Sequence, residues 1–421
     1  MEKIVSERIG ESYVRVEHPS GLTLLLSPMA GYSTAYALFA TKCGSIDDSF
    51  ALDAGEPFTR VPNGIAHFLE HKLFESEDGD AFELYAKTGA SANAFTSFDR
   101  TAYLFSCTDR FADSLDVLLN CVTKPYFTQK TVEKEQGIIG QEIRMYDDDP
   151  DWRVYFNLLG ALYQEHPIRI DIAGTVESIA QIDADTLYRC YNAFYNLHNM
   201  VLAIAGNFDV DTVIEACDRI LKRAEPVKVR RRPVEEPRAV KRRRVEQKLE
   251  VAAPLFQIGF KGVPGGWREN LASQIAGEVV LDMVAGEASQ LYRELYDAGL
   301  VNATFDTEVM AGPNYLASIF SGESKDPDEV YSRIIAGVQK LAGEGVGQEA
   351  FDRARRAAMG RYIGLYSNVE SVAGMLVLCD FAGIGGYEAL DILANLKTAD
   401  AEAFLKTHLD PEYSALSIVR S

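Results

Sequence analysis

The sequence predicts an α+β protein of two related halves, each a mostly antiparallel sheet packed with helices. Three observations point there. The chain has 421 residues, more than one hydrophobic core usually serves, so two domains are expected, with about three as the upper bound. A helix-then-strand pattern closes each half: residues 184–195 lead into an apolar run at 199–206, and 401–408 lead into another at 413–419. Between the halves lies one segment of different character. Residues 222–248 contain Lys228-Val229-Arg230-Arg231-Arg232-Pro233, Lys241-Arg242-Arg243-Arg244 and three prolines. That composition fits extended, solvated chain between domains better than a basic binding patch, because globular patterning resumes on both sides. The expected division is a domain over 1–221, a linker over 222–250 and a second domain over 251–421.

Inside the first half, strand composition appears at 21–26, 34–40, 91–96 and 101–106. A helix is expected from about Asn63-Gly64 onward, and helical periodicity returns at 111–122 and 131–146.

Charge and composition exclude several function classes. Acids number 62 against 42 bases, a net charge of −20, which argues against nucleic acid or an anionic membrane as partner. No apolar run reaches the roughly 18 residues a membrane span needs, and the N-terminus reads as lacking a signal peptide. The six cysteines are scattered without a CxxC pair, so they read as reduced, buried thiols, and the expected compartment is the cytoplasm.

The chemistry centres on His67-Phe68-Leu69-Glu70-His71. On a helix, His67 and His71 stand at i and i+4 and share one face, so two neutral imidazoles can grip a zinc ion. Glu70 lies beside that face, where it can accept a proton from a water activated at the site. His18, His166, His198 and His408 lack metal spacing; the first, second and fourth read as surface residues, and His198 precedes a strand.

A third ligand is expected on the helix over 131–146. Glu135 and Glu142 are seven apart and therefore on one face, where one can ligate and the other can bond a ligand histidine. Ile138, Ile139 and Ile143 suggest that this helix packs inside the domain, which makes two same-face glutamates costly unless paired or metal-bound.

With these residues in place, the sequence resembles the M16 (pitrilysin/insulinase) peptidases, which include the mitochondrial processing peptidases. His67-x-x-Glu70-His71 followed by Glu135-x6-Glu142 carries the likeness, and residues 64–75 and 145–152 resemble the small bacterial members. The resemblance implies two homologous half-domains of the LuxS/processing-peptidase-like metallohydrolase type. It implies His67, His71 and Glu142 as zinc ligands, Glu70 as general base and Glu135 as a supporting acid. It also implies that Asn93, Ala94, Phe95 and Thr96 form an edge strand that takes a peptide substrate as an added β-strand.

The second half departs from the family pattern. Active M16 sites take an Arg and a Tyr, seven apart, from a second-half domain to hold the scissile carbonyl. Here Tyr296 is set against that Arg and Asn302 against that Tyr, although the two are six apart and not seven, and Arg293 lies one turn early. The implied protein is a zinc endopeptidase subunit for short or unfolded peptides, working in a heterodimer whose M16-like partner supplies the missing pair. The competing expectation is a zinc-binding structural or assembly subunit without turnover.

Overall fold

The computed structural model describes residues 1–52, 55–77 and 79–421. They form two compact units. The first comprises Met1–Ile143, Asp171–Pro233 and Ile363–Phe381, and the second Arg144–Ile170, Val234–Tyr362 and Ala382–Ser421.

The first unit is built on a seven-stranded sheet of β1 (Glu2–Val5), β2 (Ser12–Glu17), β3 (Thr23–Pro28), β4 (Ala35–Thr41), β5 (Ser91–Thr96), β6 (Thr101–Cys107) and β7 (Met200–Gly206). Their order is β1-β2-β3-β7-β4-β6-β5. Only β3 and β7 run parallel. The central strands β4 and β7 are buried along their whole length, which is why they read as unbroken apolar runs. By contrast β5 ends the sheet, and its residues alternate between exposed and half-buried. Helices α1 (Ile65–Lys72), α2 (Ala81–Thr88) and α3 (Phe111–Thr123) pack against β5 and β6. Helix α4 (Gln129–Asp147) follows.

The second unit has a five-stranded sheet of β8 (Arg244–Lys248), β9 (Leu255–Lys261), β10 (Asp306–Gly312), β11 (Tyr315–Glu323) and β12 (Ser414–Arg420), ordered β8-β12-β9-β11-β10. Here β8 and β12 are the parallel pair and the remaining neighbours are antiparallel. Strand for strand and direction for direction, this repeats β3-β7-β4-β6-β5. The expected α+β architecture of two homologous halves is thus present.

The compact units differ from the contiguous ranges 1–221 and 251–421 in two helices and in the expected linker 222–250, which is divided between the units at Pro233 and supplies β8 to the second sheet. Val369–Phe381 lies across β3, β4 and β7, while Pro150–Leu162 lies across β8, β9 and β12. An apolar helix belongs to the sheet that buries it, and chain order does not reveal which sheet that is. The basic segment is also tied down. Arg230–Arg231 pairs with Ser49–Ala51, and Arg231 bonds the buried Asp47. The Glu236 carboxylate accepts from the N–H groups of Gln164, Glu165 and His166 and pairs with the buried Lys261.

Candidate metal centre

Helix α1 begins at a backbone position that only glycine fills comfortably. Gly64 has φ 89°, and a Cβ there would stand 2.3 Å from the Ala173 carbonyl oxygen. Gly174, with φ 75°, abuts the Asn63 carbonyl from the other side, and Ser178 Oγ donates to that same oxygen at 2.8 Å. The loop over 171–178 therefore clamps the start of the helix. Phe68 and Leu69 are fully buried and fix which face turns inward. The adjoining face presents His67 and His71, their ring centroids 4.6 Å apart in an edge-on contact.

Helix α4 supplies the opposing acids. Val132, Glu135, Ile139, Gly140 and Ile143 are its buried residues. Ile138, expected inside, is 44 % exposed, because it falls on the same helix face as Glu142 and not on the packed one. Glu142 Oε1 stands 3.7 Å from His67 Nε2, and its Oε2 stands 3.4 Å from His71 Nε2. Glu135 Oε1 lies 3.0 Å from His71 Nδ1. Of the two same-face glutamates, Glu142 thus converges with both Nε2 atoms, and Glu135 fixes the far side of one ring.

The donor set fits zinc. His67, His71 and Glu142 each bring a ligand atom to within 4.8 Å of the others. Tetrahedral zinc with bonds of about 2.0–2.1 Å spaces its donors about 3.4 Å apart, close to the 3.4 and 3.7 Å found here. The 3.7 Å separation exceeds hydrogen-bond length, and the 3.4 Å one is a long, weak bond. The Glu135 contact also selects the tautomer, since a proton held on Nδ1 leaves the Nε2 lone pair of His71 for the ion.

Electrostatics act in the same sense. Burial pushes the His67 imidazole down to about 4, helped by the neighbouring His71, so it stays neutral. Burial also works against charge on His71, but the bonds to Glu135 and Glu142 and the charge of Glu70 raise it to about 10. The cluster is therefore rich enough in carboxylates to hold a proton tightly, and a divalent cation can take that place. Burial raises Glu70, against a hydrogen bond from Thr96 Oγ1 to Glu70 Oε2 of 2.7 Å.

Asn93, Ala94, Phe95 and Thr96 all lie on β5, beside α1. Its outer edge pairs with no strand among the described residues. In the second unit, Tyr296 sits on the helix Gln290–Asp297, 53 % exposed and stacked on Tyr292. Asn302 Nδ2 donates to Glu323, and Arg293 is exposed. The helix that follows β9, Trp267–Ala285, contains no histidine.

Two features escaped the sequence reading. Lys72, next to His71, is fully buried against Glu75, where a lysine normally signals surface. His18, His166 and His408 are buried, not superficial. His18 bonds Ser20 and Asp218, His166 Nδ1 accepts from Ile168 N–H, and His408 Nδ1 accepts from Val263 N–H. Each caps backbone or a side chain through partners that spacing alone does not disclose.

Comparison with known proteins settles the family. The model for "Insulinase (Peptidase family M16)" matches residues 59–176, which carry α1 and α4, and that for "Peptidase M16 inactive domain" matches 181–358. YmfH of Bacillus subtilis, named an uncharacterized zinc protease, is 37 % identical over 414 residues, spanning 97 % of this chain and 96 % of its own. The chain belongs to peptidase family M16. A crystal structure described as an M16-like peptidase, from Alicyclobacillus acidocaldarius, superposes with TM-score 0.93 at 35 % identity, covering 97 % of this M16 chain and 98 % of that one. A Helicobacter pylori protease shares the fold, with TM-score 0.82 at 19 % identity over 98 % of this chain and 100 % of its own.

Proposed function

We propose that this M16 chain is the zinc-bearing subunit of an endopeptidase that hydrolyses short or unfolded peptides in a chamber closed by an M16-like partner. The observation that carries the reading is the convergence of His67, His71 and Glu142 beside Glu70 and next to an unpaired strand edge. His67, His71 and Glu142 hold the ion, and Glu135 orients His71. Zinc, when bound there, supplies Lewis acidity toward the scissile carbonyl and acidifies water. Glu70 takes the proton of the attacking water as its oxygen bonds the carbonyl carbon, then returns it to the amine as the C–N bond breaks. Residues 93–96 align the peptide by backbone pairing, so sequence preference is weak. With Tyr296 and Asn302 in place of Arg and Tyr, the oxyanion is held by the partner. The half over 251–421, completed by β8 from within 222–250, acts as the metal-free counterpart, with the rest of that segment as the connection. Six buried cysteines, all free, suit a reducing cytoplasm.

Metal content and a quenched peptide library test this reading together. Near-stoichiometric zinc is expected in the wild type, with sharp loss in His71→Ala and Glu142→Ala. Cleavage is expected to stop with a chelator. Retention of full zinc by Glu142→Ala would show the third ligand to be misplaced.

A further inference from the structure

The hydrogen bond from Thr96 to Glu70 joins two parts of the site that are otherwise separate. Thr96 is the last residue of β5 and stands opposite Thr101 of β6. One residue on, Ser97 N–H donates to the Arg100 carbonyl at 2.8 Å, which makes 97 and 100 a hydrogen-bonded pair of the hairpin. The alternation of an antiparallel ladder then turns the backbone groups of Thr96, Ala94 and Ala92 away from β6, toward the open edge. Ala94 bears this out, because its N–H is covered by the Asn93 side-chain oxygen at 2.9 Å and not by a strand. The side chains of Ala92, Ala94 and Thr96 share the half-buried face. Thr96 thus has its backbone on the edge and its hydroxyl 2.7 Å from Glu70 Oε2.

Building on the peptidase reading above, we propose that Thr96 is a positioning residue: its hydroxyl holds the Glu70 carboxylate in the orientation for proton transfer, and an added peptide strand steadies that hold by pairing with the Thr96 backbone. A glutamate has three side-chain torsions, and an unrestrained one spends most of its time away from any single pose. One bond to Oε2 removes most of that freedom and leaves the other oxygen for the water. Both methyl-bearing and hydroxyl-bearing faces of Thr96 fit the half-buried site, so Thr96→Val preserves shape and deletes only the donor.

The test compares wild type, Thr96→Val, Thr96→Ser, Glu70→Gln and the Glu70→Gln/Thr96→Val double variant, all zinc-loaded and mixed with an M16 homologue that carries the Arg/Tyr pair. Thr96→Val is expected to lower kcat about 10- to 100-fold, the worth of one charge-assisted hydrogen bond, with KM changed less than about twofold. Zinc content and melting temperature are expected to hold, Thr96→Ser to recover most of kcat, and Thr96→Val to cost nothing further in the Glu70→Gln background. A second readout does not depend on turnover. The Glu70 carboxyl carbon resonance, assigned by its loss in Glu70→Gln, is expected to shift in Thr96→Val and return in Thr96→Ser. An unmoved resonance, wild-type kcat in Thr96→Val, or a loss that serine fails to recover overturns the proposal. Wild type that stays inactive even in that mixture, while the resonance shifts as expected in Thr96→Val, sinks the peptidase reading and leaves the Thr96–Glu70 link standing.

Discussion

Glu135 and Glu142 differ by what each faces, and that difference sets their separate effects on metal binding. Glu142 reaches both Nε2 atoms, whereas Glu135 touches only His71 Nδ1. Glu135→Gln keeps an acceptor but loses the charge that favours the imidazole as ligand, so zinc affinity is expected to fall about 10- to 100-fold. Competition with a chromophoric chelator measures this, and an unchanged affinity would remove Glu135 from the site. The convergence of His67, His71 and Glu142 was legible in the sequence because i, i+4 and i, i+7 spacings state which side chains share a helix face. Spacing left the roles of Glu135 and Glu142 open, since both satisfy it, and only the family resemblance separated them. Thr96 and Glu70 stand 26 residues apart, across a strand and a helix, and no periodicity connects them. The same holds for the buried histidines, each bonded to a group whose approach depends on the fold.

At the scale of elements, two glycines of the first unit should respond to alanine in opposite directions. Gly64→Ala puts a Cβ against the Ala173 carbonyl at a positive φ, with an expected cost of about 1–3 kcal/mol and a displaced α1 that weakens zinc binding. Gly137 lies in the middle of α4 with nothing near its Cβ position, so Gly137→Ala is expected to stabilise by about 0.5–1 kcal/mol through helix propensity. Thermal or urea midpoints of the pair check both signs. Element positions were largely legible. The expected strand at 91–96 is β5 itself, and the helix over 131–146 extends only a little further at each end. A continuous apolar run marked β7 as a buried strand, because burial on both faces leaves that pattern, whereas the edge position of β5 followed only from the family resemblance. The destination of Val369–Phe381 and Pro150–Leu162 was illegible, since nothing within an apolar helix says which sheet it will cover.

Across the whole molecule, the repeated sheet topology separates a half that carries the His67, His71 and Glu142 cluster from one whose matching helix has no histidine. The second unit also carries a pH signature. Burial pushes His166 and His408 each down to about 4, below the ordinary 6.5 of the unfolded chain. Their contribution to stability is therefore fully present above pH 6.5 and is lost as pH falls toward 4, where the unfolded chain binds protons that the folded one does not. His166→Asn with His408→Asn keeps side-chain acceptors for Ile168 and Val263 while removing both titrations. The fall in urea midpoint between pH 6.5 and 4 is expected to be shallower in the double variant, and parallel curves would contradict this.

Proton transfer by Glu70 at a zinc ion held by this chain is the step on which the proposed peptidase function depends. Its most direct measurement is cleavage of a quenched peptide library by zinc-loaded wild type and Glu70→Gln, each alone and mixed with an M16 homologue that carries the Arg/Tyr pair. Chelator-sensitive cleavage by the wild type is expected, strongest in the mixture, with a loss of at least about 100-fold in Glu70→Gln at unchanged zinc content. Equal cleavage by both proteins, or none by a fully zinc-loaded wild type in the mixture, would contradict it.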